Sequence, residues 1–78
     1  MIRFRLRERM ADLSFREGRV VSLLEVAEAT GLARSTLNRI ANVRGYSTST
    51  DVIDKLCSYF GCSVADLVEH LSDEDLTT

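Results

Sequence analysis

Arg34, Ser35, Asn38 and Arg39 are the residues whose types and spacing carry the most recognisable chemistry in this chain. An arginine fork can donate two hydrogen bonds to O6 and N7 of guanine, and an asparagine amide can pair with N6 and N7 of adenine. On a helix, Arg34 and Asn38 fall four residues apart and Ser35 and Asn38 three apart, so they share a face. That face lies opposite Leu37 and Ile40, and it holds two arginines and no acid. Every amphipathic helix has a solvated polar face, so the elements around these residues must decide what this one is for.

The surrounding segment, Ser22 to Ala41, reads S-L-L-E-V-A-E-A-T-G-L-A-R-S-T-L-N-R-I-A. Ser22 and Glu25 have the spacing of a capping box, with Val21 and Val26 at the hydrophobic-staple positions, so a helix is expected from Ser22. It should end near Thr30, because Gly31 can take the left-handed conformation that bulkier residues resist. A second helix should begin at Ala33 or Arg34, with Leu32 and Leu37 as its staple. Ala33 stands where a Ser or Thr cap would serve better, and Arg34 sets a positive charge at the positive end of the helix dipole. Both choices cost stability, and both make sense if a phosphate or a base edge supplies the missing partner. Two short helices joined by a tight turn form a helix-turn-helix, whose second helix lies in the major groove of DNA.

Three more helices are expected. The first spans about Phe4 to Leu13, with Leu6, Met10 and Leu13 on one face. Its start is open: Ile2, Phe4 and Leu6 alternate with Arg3, Arg5 and Arg7, so residues 1–6 also fit a short strand, pairing with a second copy of the chain. Residues 14–21 read as a loop with Gly18 at its tip and Phe15, Val20 and Val21 turned back onto the core. Residues 42–48 form a second loop. A fourth helix follows Ser49 and runs to Phe60, with Val52, Ile53, Leu56, Cys57 and Phe60 inward and Gly61 as its stop. Ser63 and Asp66 resemble another capping box, opening a fifth helix to about Leu71 with Val64, Leu67, Val68 and Leu71 apolar. One domain, residues 1–71, is expected, then an acidic, frayed tail over 72–78.

The totals agree with a small helical domain. Of 78 residues, 45% are hydrophobic and 28% charged; proline is absent and there are four glycines. No apolar run approaches the roughly 20 residues that span a bilayer, and the N-terminal M-I-R-F-R-L-R lacks the apolar stretch of a signal peptide. No membrane association is expected, and the expected location is the cytoplasm. Net charge is −2, yet its distribution is uneven. Residues 1–50 hold nine Arg against five acids, a net of +4, whereas residues 51–78 hold Lys55 against seven acids, a net of −6. A basic front could face phosphate while an acidic back stays solvated. Cys57 and Cys62 read as reduced, partly buried small hydrophobes. His70 is the single histidine; it reads as a surface helix residue, and no metal-ligand spacing accompanies it. No cofactor is expected.

These residues resemble the Cro/C1-type helix-turn-helix family, the lambda-repressor-like or XRE-type DNA-binding domains. The likeness rests on Val26, Ala27, Gly31, Leu32, Leu37 and Ile40, on Asn42 after the second motif helix, and on L-C-S-Y-F-G-C-S-V-A-D-L from Leu56 to Leu67. It covers about residues 4–71. It implies an all-α fold, a compact bundle of five helices in which helices 2 and 3 form the motif and helix 3 docks in the major groove. The positions that the family sets nearest the bases fall on Arg34, Ser35, Asn38 and Arg39. Phosphate contacts are implied for Thr36, Asn42 and Arg44, and for the loop at Gly45, Tyr46 and Ser47; Arg16 and Arg19 are further candidates. Two positions depart from the family pattern. Leu23 stands where a phosphate-binding Gln is frequent, and Ala41 where helix 3 frequently ends in Glu.

The resemblance implies a sequence-specific transcriptional regulator of repressor type that binds double-stranded DNA as a homodimer on two half-sites. The fifth helix with Leu71 and the Ile2–Leu6 segment are the candidate dimer surfaces. No small-molecule effector is expected in a chain this short. A different reading is a protein-interaction module of antitoxin type, served by the acidic C-terminal half and by Leu23 and Leu24. An enzyme is not expected: the single His has no Ser or Cys neighbour in the motif region, and there is no glycine-rich phosphate loop.

Overall fold

The computed structural model describes residues 1–72 and residue 74. Its elements run β1 (Ile2–Phe4), α1 (Leu6–Glu17), α2 (Leu23–Thr30), α3 (Arg34–Asn42), α4 (Thr50–Phe60), α5 (Val64–Leu67) and β2 (Val68–His70). Five helices surround one apolar core, as expected. The core consists of Leu6, Val21, Val26, Ala27, Leu37, Ile40, Leu56, Phe60 and Leu67. Each helix contributes at least one of these side chains, so no helix can leave without exposing part of the common core.

The helix ends follow local chemistry. Ser22 Oγ accepts from the Glu25 amide at 3.2 Å, and Ser49 Oγ accepts from the Val52 amide at 3.3 Å. Each bond satisfies a backbone donor that the first turn leaves free. At α5, the Asp66 carboxylate accepts from the Ser63 amide at 3.2 Å and from its hydroxyl at 3.0 Å. The box expected at Ser22 is only half made. Glu25 turns its carboxylate away to Arg19 and to the Tyr59 hydroxyl instead. The stronger charge-assisted partner wins over the backbone amide.

Several expectations need correction. Residues 2–4 do form a strand, but its partner is β2 of the same chain. The antiparallel register sets Ile2 against His70, Arg3 against Glu69 and Phe4 against Val68. Met1 and Leu71 extend it, with the Leu71 amide donating to the Met1 carbonyl at 2.8 Å. The fifth helix accordingly stops at Leu67, and Val68 to His70 are strand. Two salt bridges from Glu69, to Arg3 and Arg5, pin this ribbon. His70 is therefore an exposed strand residue, not a helical one. The first helix begins at Leu6 and continues past Leu13 to Glu17, because nothing breaks it before the left-handed Gly18. Phe15 and Val20 point outward, 90% and 86% exposed, and Val21 alone of the three is buried. The expected acidic tail lies mostly outside the described residues.

Candidate nucleic-acid interface

The turn between α2 and α3 is built by three residues. Gly31 has φ +75° and donates its amide to the Ala27 carbonyl, closing α2. The Thr30 hydroxyl donates to the Val26 carbonyl at 2.7 Å and accepts from the Leu32 amide at 3.3 Å. One side chain thus ties the end of α2 to the second residue of the turn. Val26 and Ala27 of α2 and Leu37 and Ile40 of α3 are all buried in the shared core. With that inner face held, the outer face of α3 is determined by helical periodicity.

That outer face carries Arg34, Ser35, Asn38, Arg39 and Asn42, all exposed. Thr36 is half-buried on the flank. Ala33 precedes the helix in extended conformation and supplies no side-chain cap, and α3 has no acid in its first turn. The first turn of α3 therefore sets no carboxylate of its own at the positive end of the dipole. At nine residues α3 is about 13 Å long, comparable to the roughly 12 Å width of a major groove.

Charge is distributed in the same sense. Arg3 and Arg5 pair with Glu69, Arg9 with Asp12, and Arg19 with Glu17 and Glu25. Arg19 is thus engaged within the protein; its guanidinium, hydrogen-bonded to Glu25, is held well above its ordinary pKa. Arg7, Arg16, Arg34, Arg39 and Arg44 have no carboxylate partner among the described residues. Three of these five belong to α3 or the loop that follows it. An open hollow of about 370 Å³ beside that loop is lined by Arg3, Arg7, Asn42 and Arg44 together with the apolar Ile2 and Phe4.

The loop residues behave differently from one another. Arg44 and Ser47 are exposed. Gly45 has φ +68°, and the Met1 side chain lies 3.4 Å from where its Cβ would stand. Tyr46 is half-buried against the core, and its amide donates to the Val43 carbonyl at 3.3 Å. Asn42 is engaged: its Nδ2 donates to Asn38, and its Oδ1 accepts from Arg7. Sequence reasoning missed Arg7, whose partner lies 35 positions along the chain. Leu23, the departure from the family pattern, packs half-buried against the core, whereas Leu24 is 48% exposed. Among the described residues no group of three or more His, Cys, Asp or Glu could hold a metal ion, and no helix is long and apolar enough to cross a membrane.

A family model described as Cro/C1-type HTH DNA-binding domain matches residues 5–73. No curated protein and no solved structure matches the chain. The match spans all five helices, the core and β2, so it covers more than the motif alone, and only Met1 and β1 precede it among the elements above. The chain therefore belongs to the family of Cro/C1-type helix-turn-helix DNA-binding domains, with double-stranded DNA as its partner and transcription regulation as its field of action.

Proposed function

We propose that this protein is a sequence-specific regulator of repressor type that inserts α3 into the major groove. Arg34, Ser35, Asn38 and Arg39 read base edges. Thr36, Arg44, Gly45, Tyr46 and Ser47 hold the flanking phosphates, whereas Asn42, expected among them, commits its side chain to Asn38 and Arg7. One observation carries the reading: an exposed helix face with two arginines and no acid, its arginines without an ion pair among the described residues. Phosphate contacts supply most of the affinity and fix register, while base contacts select the site. Repression then follows from occupancy alone. A homodimer on two half-sites about one turn apart doubles the readout. The two candidate dimer segments meet in one ribbon, where Ile2–Phe4 pairs with Val68–His70, while Leu6 and Leu67 on the adjoining helices are fully buried and unavailable for it.

Phe15, Val20 and Leu24 favour a second reading, a protein-interaction module, because they expose apolar side chains on elements other than α3. Salt separates the two. Fluorescence anisotropy with labelled duplex DNA should show affinity falling steeply and log-linearly with added salt. A nearly salt-independent affinity, or none for duplex DNA, would favour the protein partner.

A further inference from the structure

The hydrogen-bond chain that ends on Asn38 begins on another helix. Arg7 of α1 donates from Nη2 to Oδ1 of Asn42. Asn42 donates from Nδ2 to the Asn38 carbonyl at 2.9 Å and to Asn38 Oδ1 at 2.8 Å. The first member sets the polarity of the rest. A guanidinium has N–H donors and no acceptor, so the Asn42 atom facing it has to be the oxygen. The Asn42 NH2 group then faces Asn38, and the Asn38 side-chain atom that receives it has to be the oxygen as well. The Asn38 carbonyl, an acceptor only, holds Asn42 in the same sense. What Asn38 has left to offer outward is its NH2 group.

We propose that Arg7 is a positioning residue for base selection, which acts through Asn42 to hold Asn38 with its NH2 group outward and its oxygen turned back onto the protein. The inference rests on the reading of α3 as the base-reading helix. An amide held this way presents donors. It suits base edges that offer acceptors in the major groove: guanine O6 and N7, adenine N7, or thymine O4. It does not suit cytosine, whose N4 amino group is a donor there. The two-point grip on adenine also weakens, because the amide oxygen it needs for N6 already accepts from Asn42. Arg7 has no carboxylate partner among the described residues to draw it elsewhere. Asn38 and Asn42 are exposed, so water competes with the single bond to the Asn38 carbonyl, and the charged Arg7 donor is the second anchor that keeps Asn42 from turning over.

Selection of bound duplexes from a random pool, followed by sequencing, tests this with the full chain and with Asn38→Ala, Arg7→Met and Arg7→Lys. Asn38→Ala identifies the base pair that Asn38 reads, by flattening preference there. At that pair the natural chain should disfavour cytosine by about fivefold or more. Arg7→Met should lose most of that discrimination while preference at other pairs stays unchanged, and Arg7→Lys, which keeps a donor-only group, should restore much of it. Asn42→Ala, which removes both the oxygen that accepts from Arg7 and the NH2 group that donates to Asn38, should act like Arg7→Met and serves if that variant does not fold. Arg7→Met weakening every duplex equally, with the preference profile intact, would make Arg7 a phosphate contact and overturn the proposal. Preference left unflattened by Asn38→Ala, beside a motif still enriched by the natural chain, would overturn it while sparing the reading of α3. A pool in which the natural chain enriches nothing would remove both.

Discussion

Arg34 and Arg44 stand on either side of α3 and should fail differently. Arg34 sits at the first position of the helix, exposed and without an ion pair among the described residues. If it grips a base, Arg34→Ala should cost about 1–3 kcal/mol of binding and relax selection at one base pair. Arg44 lies beyond the helix, in the loop. Arg44→Ala should weaken all duplexes alike and reduce the salt slope by about one. Anisotropy titrations at several salt concentrations, on matched and mismatched duplexes, distinguish the two. A loss confined to one base pair for Arg44→Ala would show that Arg44 reads sequence. At this scale the sequence was informative about residue type and helical face, since Arg34, Ser35, Asn38 and Arg39 are all exposed together. It was blind to Arg7, because a contact between α1 and Asn42 depends on tertiary packing that leaves no local trace. The same blindness hid Glu25's choice of Arg19 and Tyr59 over the cap.

Elements were legible where short-range chemistry sets their ends. Ser22, Gly31, Ser49 and Gly61 bound helices as their types suggest, because caps and left-handed stops act within a few residues. The end of α5 was not. Val64, Leu67, Val68 and Leu71 have helical spacing, yet Val68 pairs with Phe4, far away in the chain. Long-range strand pairing overrode local periodicity, a competition that no short window reveals. Gly31 offers a sharp test of the turn. It has φ +75° and nothing within 4 Å of a would-be Cβ, so space is not the obstacle and backbone conformation is. Gly31→Val should destabilise the fold by roughly 1–2 kcal/mol in thermal or urea unfolding. Unchanged unfolding would show that the turn is built otherwise. Two hydrogen-bonded carboxylates also predict a pH response. The Arg19 hydrogen bond holds Glu25 below its ordinary 4.5, and the Ser63 amide holds Asp66 below its ordinary 3.8. Both contributions are present above those ordinary values and are lost as pH falls through the lowered ones. Melting temperature should therefore drop on acidification below about pH 4, and the double variant Glu25→Gln, Asp66→Asn should show a shallower drop. An equally steep drop in that variant would assign the acid sensitivity to other carboxylates.

Across the whole molecule, the net charge of −2 hides a division of labour. The uneven charge of the two halves was readable in the sequence, but not which arginines would be neutralised. Folding brings Glu69 from the acidic half against Arg3 and Arg5, consuming part of the basic front to close the ribbon. The cations left unpaired include those on and just after α3, where a polyanion would meet them. Phe15, Val20 and Leu24 form the rival exposed surface. Titration of the 15N-labelled protein with a duplex recovered by selection, followed by amide NMR spectra, compares the two surfaces directly. The account predicts that signals from Arg34 to Ser47, the Asn38 side-chain NH2 included, shift or broaden first, with Phe15, Val20 and Leu24 unaffected. Perturbation confined to Phe15, Val20 and Leu24, with α3 unchanged at saturating DNA, would contradict it.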